Sequence, residues 1–144
     1  MGTAFQIVDD IPDIVSDGES LGKPVFSDLR QGTLTLPLIY AKESEVGSDI
    51  LECLSNKTVP DWKIPELRSK LIAGGYVRRA GHVACALLDS ARQDLARLPG
   101  SPGRASLSYM CDQLVRRVRC ASPDVQPSDV RNFSPSGVST EGIP

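Results

Sequence analysis

AFQIVDDIPDIV, residues 4–15, carries apolar side chains at Phe5, Val8, Ile11 and Val15, close to the 3.6-residue helical repeat. The polar turn SDGES follows at once, so the spacing predicts a single helix that ends before Ser16. Within it stand Asp9, Asp10 and Asp13. On a helix, Asp9 and Asp13 share a face and Asp10 lies about 100° around from Asp9, which brings three carboxylates within one turn. Like charges this close repel. A divalent cation such as Mg²⁺ would neutralise them, because it takes carboxylate oxygens, keeps several waters and bridges to substrate phosphates. Lys23, on a glycine-containing loop ten residues later, would add a point charge for the same phosphate. On the residues alone, two other readings stay open: a solvated acidic helix end, or Asp10 as an N-cap with Pro12 in the first turn of the helix it caps.

Working outward, LGKPVFSDLRQGTLTLP (21–37) is rich in turn formers and reads as a loop leading to a helix near Pro37. EVGSDILECLSN (45–56) reads as a helix, VPDW (59–62) as a turn, and IPELRSKLIAGG (64–75) as a helix with Pro65 in its first turn. The clearest repeat is Val77, Ala80, Ala84, Leu87, Leu88, Ala91, Leu95 and Leu98, an amphipathic helix. Beyond the breaker PGSPG, Leu107, Met110, Cys111, Leu114, Val115 and Val118 repeat the pattern to about Arg119. Two antiparallel helices joined by a short turn follow from that. From Ala121 the chain has scattered Pro, Ser and Gly and no period, and 120–144 is expected to be a disordered tail.

At 144 residues, with 40% hydrophobic and 24% charged residues, the chain fits one domain with a core of Leu, Ile, Val and Ala, since aromatics make up only 5%. The net charge of −2 conceals an acidic first half, with ten acidic against four basic residues in 1–60. RRVR at 116–119 reads as a helix end, so no nucleic-acid partner is expected. No stretch reaches the length of a membrane span, and no signal-peptide pattern opens the chain. Cys53, Cys85, Cys111 and Cys120 are widely spaced, and His82 is the only histidine, read as a packing or surface residue. The expectation is a cytoplasmic protein with reduced thiols.

The segment from Ala4 to Ala41 closely resembles the second aspartate-rich region of the trans-isoprenyl diphosphate synthases, the polyprenyl synthetase family. That pattern runs FQ-x-x-DD-x-x-D, then GK, D, G and T-x-P. Phe5, Gln6, Asp9, Asp10, Asp13, Gly22, Lys23, Asp28, Gly32, Thr35 and Pro37 match it. A weaker resemblance continues to about Arg119. The resemblance implies an all-α helical bundle, the C-terminal part of the isoprenoid synthase fold, over residues 1–119. It also implies Mg²⁺-dependent condensation of an allylic diphosphate with isopentenyl diphosphate, and a homo- or heterodimer with a synthase subunit. By the same resemblance Asp9, Asp10 and Asp13 hold the metal, Lys23 and Gln6 contact the diphosphate, and Phe5 lines the cavity. The chain departs from the family in three respects. Pro12 stands between the aspartates, where the missing N–H costs about 3 kcal/mol in a helix interior and is expected to kink it. Thr33 replaces a frequent lysine. The family's first aspartate-rich motif is absent from this sequence, so the chain is expected to be truncated, and either inactive alone or a non-catalytic partner of a complete synthase.

Overall fold

The computed structural model describes residues 1–16 and 24–121, and no strand occurs among them. The fold is all-α, as expected. The elements are α1 (Gly2–Asp10), α2 (Pro12–Val15), α3 (Ser27–Arg30), α4 (Leu36–Ala41), α5 (Gly47–Asn56), a 3-10 turn (Asp61–Lys63), α6 (Ile64–Ala73), α7 (Tyr76–Ala96) and α8 (Pro102–Ala121).

The element starts follow local chemistry. Pro37 and Pro65 occupy the second positions of α4 and α6, where a missing N–H breaks no helical bond. Gly75, at φ +74°, makes the left-handed turn between α6 and α7. Gly32, at φ +84°, closes α3. Its N–H donates to the Leu29 carbonyl at 3.1 Å, and the Thr33 N–H reaches the Asp28 carbonyl at 2.8 Å. A one-turn helix, α3, thus lies inside the segment expected to be loop.

The first helix is interrupted. Pro12 has no N–H for the Val8 carbonyl, and regular structure stops at Asp10 and resumes at Pro12. Ile11 between them keeps helical angles, φ −61° and ψ −47°, so the chain bends there without turning away. Ile11, not Asp10, precedes α2, and it makes no side-chain cap. The capping alternative for Asp10 is therefore not realised.

The buried face of this segment is also rotated from the expected one. Ala4, Ile7, Val8, Ile11 and Ile14 are buried, whereas Phe5 is 45% exposed. The set 4, 7, 8, 11 satisfies the i, i+3, i+4, i+7 rule, and a small alanine there admits close approach of α7.

Two apolar clusters form the interior. One joins Ile11, Ile14, Phe26, Leu29, Leu38, Ile50, Leu67, Leu71 and Val77; the other joins Ala4, Ile7, Val8, Ala80, Ala84, Leu88, Cys111, Leu114 and Val118. The long α7 runs through both and packs against α1, α4, α6 and α8. Its stripe is buried at Val77, Ala80, Ala84, Leu88 and Leu95, while Leu98, past the helix end, is exposed. On α8, Cys111, Leu114, Val115 and Val118 are buried but Leu107 and Met110 are exposed. The helix ends at Ala121, two residues beyond the expected boundary; the remainder of the expected tail, 122–144, lies outside the described residues.

Candidate functional site

The three aspartates line one cleft of about 280 Å³, together with Gln6, Pro12, Ser27, Asp28 and Arg117. The bend at Ile11 gives each carboxylate a different task.

Asp13, beyond the bend, turns toward α3. Its Oδ1 accepts the Ser27 N–H at 2.9 Å and the Ser27 hydroxyl at 2.7 Å, and its Oδ2 accepts the Asp28 N–H at 3.2 Å. Its backbone carbonyl takes the Phe26 N–H at 3.0 Å. Phe26 is fully buried and sits in the left-handed region at φ +57°, a conformation uncommon for a bulky residue. That angle starts α3 with its first amides facing Asp13. The carboxylate therefore satisfies orphan donors of a helix start, a role that places negative charge where the helix dipole favours it.

Asp10, before the bend, is half-buried and accepts a 2.9 Å hydrogen bond from the Gln6 Nε2, one helical turn away. Burial pushes its pKa above the ordinary carboxylate value, and the charges of Asp9 and Asp13 add to the rise; the Gln6 bond works against it. Gln6, expected to contact a diphosphate, holds Asp10. Asp9 is exposed and pairs with Arg117 of α8 at 3.2 Å. This partner lies 108 residues away and escaped the sequence reading, which took RRVR as a helix end.

Of the other expected site residues, Phe5 points to solvent and does not line the cleft. Lys23 and Gly22 lie outside the described residues. Asp28 lines the cleft, and Thr35 is buried at the start of α4.

The donor set fits Mg²⁺ in one mode. Among the described residues no three Asp, Glu, His or Cys side chains form a group able to hold a metal ion, so a cage of three carboxylates is not built. Mg²⁺ commonly takes only one or two carboxylates and completes its octahedron with waters and substrate phosphates. Asp9 and Asp10 are the two cleft carboxylates that could serve as such hard oxygen ligands. Asp10 is, in addition, a carboxylate whose charge its surroundings disfavour and a cation would relieve.

A second charged cluster, absent from the sequence reading, is structural. Lys63 is buried to 9% exposure and its Nζ reaches Asp49 at 2.7 Å and Glu52 at 2.8 Å. Hydrogen bonds to Asp49 and Glu52 raise its pKa well above the ordinary lysine range. It fixes α5 to the start of α6, away from the cleft.

Residues 1–70 match the Polyprenyl synthetase family. Nonaprenyl diphosphate synthase of Mycobacterium tuberculosis is 40% identical over 119 residues, which are 81% of this chain and 36% of that protein. Solanesyl diphosphate synthase 1, chloroplastic, of Arabidopsis thaliana is 37% identical, over 76% of this chain and 27% of its own. Heptaprenyl diphosphate synthase component 2 of Bacillus subtilis is 31% identical, over 81% and 33%. The chain thus spans about a third of the length of these relatives.

Proposed function

Because the chain belongs to the polyprenyl synthetase family, we propose that it is a prenyltransferase chain, acting in condensation of an allylic diphosphate with isopentenyl diphosphate. The observation that carries this reading is the cleft lined by Asp9 and Asp10, the last two residues of α1, within the stretch that matches the family.

In this reading Asp9 and Asp10 hold Mg²⁺, and Gln6 orients Asp10 through its 2.9 Å bond. Bound there, Mg²⁺ supplies positive charge that offsets the charge gathering on a departing diphosphate. Asp13 acts one step back, by fixing the loop from Phe26 to Asp28 against the cleft wall. Lys23 contributes a further cation toward the diphosphate. The four free thiols support a cytoplasmic setting, and among the described residues no helix is long and apolar enough to cross a membrane.

A second reading concerns assembly: the chain pairs with a synthase subunit, either as a catalytic half or as a non-catalytic partner. Exposed Phe5, Leu98, Leu107, Tyr109 and Met110 support it, as does likeness to a protein named as one component of a synthase.

The test is binding of an allylic diphosphate with and without Mg²⁺, followed by elongation with isopentenyl diphosphate, alone and beside a full-length synthase. Mg²⁺-dependent binding that Asp9→Asn/Asp10→Asn abolishes is the expected result. Binding indifferent to Mg²⁺ and to both substitutions would overturn the proposed site.

A further inference from the structure

We propose that Arg117 is a ligand-binding residue of the cleft: a divalent cation displaces its guanidinium from Asp9, and the released guanidinium then binds the phosphate oxygens of the ligand. This rests on the reading of the cleft as a Mg²⁺–diphosphate site.

Arg117 is the one cation among the described residues that line the cleft. It enters the cleft from α8, across from the aspartate helix. Its hold on Asp9 is a single 3.2 Å contact between half-exposed side chains, 49% and 55% accessible. Such surface pairs contribute at most about fivefold to an equilibrium, so a divalent ion readily wins the carboxylate. Arg116 and Arg119, its neighbours on α8, are exposed and do not line the cleft.

The chemistry of the released group decides what it binds. A guanidinium carries five N–H donors in a planar fork that matches phosphate oxygens, stays charged at any working pH, and sheds water more easily than an ammonium. Once Asp9 is engaged elsewhere, a ligand's phosphate in the cleft offers the Arg117 guanidinium an anion in place of the carboxylate it has lost. One side chain therefore opposes the metal alone and favours the metal with its phosphate ligand.

That opposition of signs is the test. Mg²⁺ alone, and inorganic pyrophosphate in the presence of Mg²⁺, are titrated calorimetrically into the full chain, Arg117→Gln and Arg117→Lys. Arg117→Gln is expected to tighten Mg²⁺ alone by up to about fivefold and to weaken pyrophosphate by about tenfold. Arg117→Lys, which keeps the charge without the fork, is expected to fall between Gln and wild type in both titrations. Unchanged pyrophosphate affinity in Arg117→Gln, with the wild type binding normally, overturns this proposal and leaves the site reading intact. A wild-type chain that binds no pyrophosphate with Mg²⁺ overturns both.

Discussion

The Asp13 carboxylate receives both the backbone N–H and the hydroxyl of Ser27, at 2.9 and 2.7 Å, and so joins the end of the aspartate motif to the start of α3. Asp13 is thus a structural residue as well as a member of the motif. Asp13→Ala is expected to cost about 1–2 kcal/mol, the usual worth of a lost helix cap, read as a lowered urea midpoint. Asp13→Asn, whose amide oxygen still accepts, should lose less. Wild-type stability in Asp13→Ala would remove the capping role.

Asp10 predicts a pH dependence. Its folded pKa is raised above the ordinary 3.8, by burial first and by Asp9 and Asp13 after it. The fold therefore binds that proton more tightly than the unfolded chain does. The stability it contributes is complete below 3.8 and is lost as pH rises through the raised folded value. Asp10→Asn should flatten the stability–pH curve in that window, and change neutral-pH stability by no more than about 0.5 kcal/mol, because the group is partly solvated. Urea midpoints measured across the acid range check it. A curve identical to wild type would contradict the assigned shift.

Lys63 predicts the opposite limb. Its folded pKa is raised by Asp49 and Glu52, so its contribution is complete below the ordinary 10.5 and is lost only as pH rises through the higher folded value. Lys63→Met strands two carboxylates beside a buried position and should lower the thermal midpoint, by an amount that is constant between about pH 6 and 9, where both carboxylates and the lysine are charged. A deficit that changes within that window would point to some other cause.

Gly47 opens α5 with no room for a side chain. A Cβ there would run into the backbone carbonyl of Lys42, an atom that cannot swing aside. Gly47→Ala is expected to destabilise by about 1–3 kcal/mol, as overpacking does, although alanine is the better helix former. Equal or greater stability in a denaturant titration would show that the α4–α5 corner adjusts freely.

The helices were legible wherever the sequence carried its own punctuation. Pro37, Pro65 and the Val77–Leu95 stripe locate α4, α6 and α7 because their signals are local. The face of α1 was misread because Phe5, the most conspicuous apolar side chain, competed with a less conspicuous Ala4 that packs closer. The aspartates themselves were legible as a motif, and their partners were not. Ser27 lies fourteen residues from Asp13, Arg117 lies 108 from Asp9, and no periodicity links either pair. Lys63 was passed over for the same reason, since its carboxylates sit on a separate helix.

The interruption at Ile11 falls where one apolar cluster gives way to the other: Ile7 and Val8 belong to the cluster of α8, Ile11 and Ile14 to that of α5 and α6. Asp9 and Asp10 ride on the first, Asp13 on the second. A ligand held by Asp9 and Asp10 against the Phe26–Asp28 loop that Asp13 fixes would become a staple across a seam, and its binding energy resistance to parting the two halves. Occupancy of the cleft would then register, as slower amide exchange, along the whole length of α7.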